Sequence, residues 1–110
     1  MIRIERKDKI DIISFTVDKI NALITDEIRE GIDRLFNNSF SKVIIDLKGV
    51  EYIDSSGFGV FLSLLKTATN NKGVFKLCGI SAEVMELFKL LQLHNVFTLY
   101  SNLDECLDSF

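Results

Sequence analysis

The feature that most constrains this chain is an alternation of short, β-branched apolar runs with stretches whose apolar residues fall at helical spacing. Val43, Ile44, Ile45 and Leu47 make one such run, bounded by Lys42 and Lys48. Consecutive apolar positions without polar alternation fit a strand covered on both faces, as in parallel sheets. Upstream, Ile2 and Ile4 alternate with Arg3 and Glu5, the pattern of a short edge strand. Lys7-Asp8-Lys9 is a polar turn, and Ile10 to Val17 is a second, β-branched strand. Together they predict an antiparallel hairpin. Val74 to Cys78 and Val96 to Leu99 complete the strands.

Between these runs the spacing is helical. Ile24, Ile28, Ile32, Leu35 and Phe36 lie on one stripe, with Asp26, Glu27, Arg29, Glu30, Asp33 and Arg34 opposite, ending in the turn Asn37-Asn38-Ser39. A second helix starts at Ser55 or Ser56 and runs to about Thr69. Phe58, Phe61, Leu62 and Leu65 share one face, and Val60 and Leu64 add apolar surface on another. Asn70-Asn71-Lys72-Gly73 closes it, with Gly73 suited to a left-handed turn. Ser81 is an N-cap for a third helix, lined by Val84, Leu87, Phe88 and Leu91. Ser101 or Asn102 caps a last helix carrying Leu103, Cys106, Leu107 and Phe110. The order β-β-α-β-α-β-α-β-α predicts an α/β fold: one domain over residues 1–110, with a mixed sheet packed against helices.

Composition removes several functions. With a net charge of −3 the chain lacks the basic balance of a general nucleic-acid binder, so no direct nucleic-acid contact is expected. No apolar run is long enough to insert in a membrane. Residues 1–9 alternate apolar and charged groups, which is not a secretory leader, so a cytoplasmic protein is expected. Cys78 and Cys106 read as buried reduced thiols that do not form a close pair. With His94 the sole histidine, no metal site and no cofactor are expected.

Ligands and partners of such sheets gather beyond the carboxyl ends of the strands. That directs attention to Lys48–Ser55 and the helix start after it, through Asp54-Ser55-Ser56-Gly57-Phe58-Gly59. Two hydroxyls stand where the chain turns into a helix, whose first turn carries unpaired N–H groups and partial positive charge. A phosphate on Ser55 would be favoured there. Gly57 and Gly59 lower the bulk, so another protein can approach. The plainer role is capping by Asp54 or Ser55. Ser-Gly-Phe-Gly has neither the lysine nor the spacing of a phosphate-cradling loop. Asp54, Ser55 and His94 include the residue types of a hydrolase triad, but no Gly-x-Ser-x-Gly elbow is present, and no enzymatic activity is expected.

The run Val43-Ile44-Ile45-Asp46-Leu47, then Val50, then Tyr52-Ile53-Asp54-Ser55-Ser56-Gly57-Phe58-Gly59-Val60, resembles the signature of STAS domains in anti-sigma factor antagonists. The order of elements matches as well, so the resemblance covers nearly the whole chain. It implies that Ser55 is a phosphoacceptor, modified by an anti-sigma factor with serine kinase activity and restored by a serine phosphatase. ATP and magnesium would belong to the kinase. It further implies that the unphosphorylated protein binds the anti-sigma factor through Asp54, Ser55, Ser56, Gly57, Phe58 and Gly59 and so frees a sigma factor. Exposed parts of Phe58 and Phe61 would anchor the partner, with at least one of the two rings packed in the core. The segment Thr16-Val17-Asp18-Lys19-Ile20-Asn21-Ala22 departs from the family's usual Gly-Glu-apolar-Asp stretch. An accessory subunit of a transporter or sensory complex is the alternative with the same fold.

Overall fold

A computed structural model describes residues 1–36 and 39–110. Its main sheet has five strands, β1 (Ile2–Lys7), β2 (Ile10–Phe15), β4 (Lys42–Asp46), β6 (Val74–Cys78) and β7 (Thr98–Tyr100), in spatial order β1-β2-β4-β6-β7. Only β1 is antiparallel to its neighbour. The hairpin turn is two residues long, Asp8 and Lys9, both with positive φ (52° and 67°). That conformation matches the twist of the flanking strands.

Period-two alternation assigns the two faces. Ile13 and Phe15 on β2, Val43 and Ile45 on β4, and Phe75 and Leu77 on β6 face the main core. Ile10, Ile12, Ile44 and Cys78 face the other side. Helices α1 (Ala22–Asp33), α2 (Ser55–Asn70) and α3 (Ala82–Leu90) contribute to the main core, and α4 (Leu103–Asp108) covers the second face through Cys106. Val43, Ile44 and Ile45 expose no surface, as a strand sandwiched between helical layers requires.

Edge-to-face aromatic contacts tie the layers together. Phe36 meets Phe75, Phe75 meets Phe97, Phe97 meets Phe88 and Phe88 meets Phe58, with ring centroids 5.0–6.4 Å apart. Each pair adds about 0.5–1.5 kcal/mol beyond the area it buries.

Several local expectations are corrected. Two strands went unseen: β3 (Lys19–Ile20) and β5 (Tyr52–Ile53), which pair in parallel as a separate small sheet. Both are too short to carry a periodic signal. The last strand lies at Thr98–Tyr100 rather than Val96–Leu99; Val96 is exposed and Phe97 buried. On α2 the inner face is Phe58, Val60, Phe61, Leu64 and Ala68, while Leu62 turns outward. The helix is rotated from the expected stripe because α1 also packs against it, so a broader apolar arc is covered. The turn expected at Asn37-Asn38-Ser39 falls partly outside the described residues; a 3₁₀ turn, Arg34–Phe36, precedes it.

After α2 the left-handed residue is Lys72 (φ 57°), not Gly73. Gly73 is needed for another reason: a Cβ there would lie 2.6 Å from the carbonyl oxygen of Ser41. The N–H of Val74 bonds to that same oxygen at 2.8 Å, so the two backbones are already as close as they can come. Gly73→Ala is therefore expected to destabilise the fold by about 1–3 kcal/mol, the usual cost of forced overpacking. Urea unfolding of the purified variant measures it, and an unchanged midpoint would mean that the β4–β6 edge relaxes freely.

Candidate functional site

The segment leading into α2 is fixed from two sides. Asp18 O accepts from the N–H of Glu51 (2.7 Å) and of Tyr52 (3.2 Å), and Ile20 O accepts from the N–H of Asp54 (3.0 Å). These bonds, with the β3–β5 pairing, place the 16–22 segment directly beside the start of α2. Ile20 and Ile53 are both buried beneath it. A Cβ on Gly57 would sit 2.6 Å from Ile53 Cγ2 and 3.0 Å from Ile20 Cγ2. Gly57 thus lets the helix start press onto the small sheet; it does not clear space for a visitor. Gly59, exposed and with nothing near its missing Cβ, is the glycine that leaves open surface.

The cap belongs to Asp54, which has extended backbone (φ −84°, ψ 179°). Its Oδ1 accepts from the hydroxyl of Ser56 at 2.5 Å and from the N–H of Gly57 at 3.1 Å. The two serines are thereby separated. Ser56 is half-buried and its hydroxyl is engaged, whereas Ser55 is exposed and takes no part in the cap. Of the first-turn N–H groups expected to favour a phosphate on Ser55, that of Gly57 is already used by Asp54.

The expected apolar anchors are not at the surface. Phe61 is fully buried and Phe58 is 4% exposed, its ring 5.0 Å from that of Phe88. Gly57 is buried with them. Of the six expected contact residues, Ser55 and Gly59 are exposed, Asp54 and Ser56 are half-buried, and Gly57 and Phe58 support the rest from below. The apolar side chains that do reach solvent nearby are Tyr52 (49% exposed), Leu23 (82%) and Leu62 (38%). Leu62 lies seven residues, two helical turns, beyond Ser55 on α2. Two of these carried a signal in the sequence: Leu23 stands off the Ile24–Ile28–Ile32 stripe, and Tyr52 alternates with the inward Ile53. Lys19, Asn21, Glu51, Tyr52 and Glu83 line a recess of about 660 Å³ at this end of the molecule.

The hydrolase arrangement is not assembled. The Asp54 carboxylate is directed to Ser56 and Gly57 rather than to a histidine, and His94 Nδ1 is buried without a hydrogen-bond partner. Among the described residues no three His, Cys, Asp or Glu side chains are grouped to hold a metal ion. Nor is any helix among them long and apolar enough to cross a membrane.

A second grouping was not foreseen. Cys78 and Cys106 are both free and buried, but they are not apart as the sequence suggested: their thiols are in hydrogen-bonding contact. They lie 28 positions apart in the chain, and only the packing of α4 on the sheet unites them.

The Asp54 carboxyl is held below its ordinary range, first by the Ser56 hydroxyl and then by the Gly57 and Ser56 N–H groups, with burial opposing. A depressed folded-state pKa means that the unfolded chain takes up the proton first as pH falls. The cap's contribution is complete above the unfolded carboxyl's pKa and is lost as pH falls through the folded value. Asp54→Ala is expected to cost about 1 kcal/mol near neutral pH. Asp54→Asn, an equally good cap, is expected to retain most of that stability and to flatten its loss in acid. Thermal melts of the three proteins from neutral pH into acid test this; identical acid profiles would show that the carboxylate does not cap α2.

Comparison with known proteins agrees with this geometry. The family model for the STAS domain matches residues 1–106. The chain is 27% identical over 95 residues to the anti-sigma-B factor antagonist of Listeria monocytogenes, covering 86% of this chain and 83% of that one. The structure of an anti-sigma-factor antagonist (STAS) domain protein from Planctomyces limnophilus superposes with a TM-score of 0.89 at 26% identity, covering 98% and 96% of the two chains. The fold is also that of the anti-sigma factor antagonist SpoIIAA, whose structure is known unphosphorylated (TM-score 0.82, 19% identity, 99% and 95% covered) and phosphorylated (TM-score 0.74, 17% identity, 99% and 98% covered). With the mixed sheet, the four helices and the family match over 106 of its residues, the chain belongs to the STAS domain family.

Proposed function

We propose that this protein is a cytoplasmic anti-sigma factor antagonist, a single STAS domain over residues 1–110 whose binding is switched by phosphorylation of Ser55. The observation that carries the reading is the division of labour between the two serines. Asp54 engages the Ser56 hydroxyl in the cap, and Ser55 beside it stays exposed, where a kinase can reach its hydroxyl. The relatives named as anti-sigma factor antagonists support the class of partner. In this reading the unphosphorylated protein binds an anti-sigma factor that is also a serine kinase, and a sigma factor is released. A serine phosphatase restores the hydroxyl.

The contact surface is the exposed edge of the α2 start, Ser55 and Gly59 with Asp54 and Ser56. Tyr52, Leu23 and Leu62 supply the apolar contacts first assigned to the phenylalanines. Phosphorylation adds about −1.5 to −2 charges beside a carboxylate that its cap bonds keep ionised. The Gly57 N–H of the first helical turn is already taken by that carboxylate. In a closed interface the added charge would be desolvated with little to compensate it. A loss of about 3 kcal/mol weakens binding about a hundredfold. The scaffold beneath, Gly57 and Phe58 on Ile20 and Ile53, need not move.

Ser55→Ala is expected to keep the partner and abolish phosphorylation, and Ser55→Asp to weaken binding by up to about a hundredfold. Affinity capture from the native cell with wild-type, Ala and Asp baits, read by mass spectrometry, tests both. A kinase-like anti-sigma factor held by wild type and Ala but not by Asp supports the switch. The same partner on all three baits, above all a transporter component, would replace the switch with constitutive docking.

A further inference from the structure

The switch surface makes no use of the thiol pair on the other face of the sheet. Cys78 ends β6 and Cys106 is the buried residue of α4. Neither exposes any surface, and they share a small cluster with Ile10, Ile12 and Ile44. Asp46, the β4 partner of Cys78 in register, sets its negative charge beside the Cys78 thiol, and its Oδ1 accepts the Lys48 N–H at 3.0 Å.

The two sulfurs are not equivalent. Cys78 donates its S–H to Cys106, which lowers the Cys106 pKa; the Lys76 cation acts in the same sense, while burial and Asp46 oppose. The same bond, with burial and the Asp46 charge, pushes Cys78 up. Cys106 is thus the sulfur that ionises first, as the attacking member of a dithiol must. Access comes from α4 itself. It has six residues, of which Cys106 is buried and Leu103 and Leu107 are only half-buried. Elements held by so few contacts open locally while the rest of the fold stands.

We propose that Cys78 and Cys106 form a redox-active dithiol, oxidised by a hydroperoxide to an intramolecular disulfide that fastens α4 to the sheet. The Cys106 thiolate attacks one peroxide oxygen and the O–O bond breaks. This leaves a sulfenic acid on Cys106 and a hydroxide that takes up a proton. Cys78 sulfur then attacks the sulfenic sulfur; the S–S bond forms, the S–O bond breaks, and the departing hydroxyl leaves as water with the Cys78 proton. Two thiols and one hydrogen peroxide give one disulfide and two waters, and two electrons pass from sulfur to oxygen.

Hydrogen peroxide in slight excess over the folded protein, followed by intact mass under non-reducing conditions, tests the chemistry. Wild type is expected to lose the mass of two hydrogens, to lose both thiols titratable after denaturation, and to recover both with dithiothreitol. Cys78→Ala is expected to gain oxygen on Cys106 instead. Amide exchange in 105–109 is expected to slow about a hundredfold (about 2.8 kcal/mol) on oxidation, the usual effect of a disulfide. Oxygen adducts alone on wild type, a covalent dimer, or no reaction under conditions where the urea-unfolded chain oxidises would each overturn the dithiol. A disulfide that leaves α4 exchange unchanged would overturn the fastening.

Discussion

Everything in this molecule is positioned by the burial of β4 on both faces. Val43 and Ile45 point into the three-helix core and Ile44 into the α4 layer, all without exposed surface. Backbone groups enclosed so completely must pair within the sheet, and β2 and β6 satisfy them from either side. The strand can neither slide by one residue nor fray, because a slip would exchange its two buried faces. Its carboxyl end is therefore a fixed point, and the chain that leaves it carries Asp54 and Ser55.

From that fixed point a second constraint sets the site. The segment after Leu47 is pinned by bonds to Asp18 and Ile20 and by the short β3–β5 pairing. Gly57 permits this pairing to lie against the first turn of α2. Loops of this kind usually tolerate variation. Here the 16–22 segment shares hydrogen bonds with the segment that precedes Ser55, so a substitution in it would change side chains at this end of the molecule while the backbone stays held. The carbonyl oxygens of Asp18 and Ile20 do the holding, and any residue supplies a carbonyl. Buried Ile20 is the position where side-chain shape also matters.

The architecture was legible in the sequence because it is written in local periodicity. The double-faced run at Val43–Leu47, the Ile24–Ile28–Ile32 stripe and the Ser81 cap each follow from neighbours a few positions apart. The Asp54-Ser55-Ser56 segment was legible too, as a helix start with two hydroxyls. What the sequence could not fix is whatever depends on elements meeting from afar. Whether Phe58 or Leu62 faces inward depends on how α1 leans on α2. Which serine stays free depends on a side-chain rotamer of Asp54. The reason for Gly73 is a carbonyl 32 residues earlier, and the Cys78–Cys106 contact exists only because α4 docks on β6. Two-residue strands such as β3 and β5 carry no periodic signature and become visible only as a pair.

These long-range facts make a binding switch possible on a rigid scaffold. A switch that relied on refolding would need an element whose two arrangements differ by only a few kcal/mol. The start of α2 is not such an element. Ile20, Ile53, Phe58 and Phe61 are buried directly beneath it, and Phe58 is locked edge-on to Phe88. A charge placed on Ser55 would therefore change the chemistry of the surface while the core beneath it held its form. Asp54 sharpens the effect. As a cap it stabilises the helix, and in doing so it keeps a negative charge next to the Ser55 position and occupies the Gly57 amide, which would then be closed to a phosphate. One carboxylate would thus tie the stability of the helix start to the electrostatic contrast that a phosphate on Ser55 would create, and a substitution that relaxed either would be felt in the other.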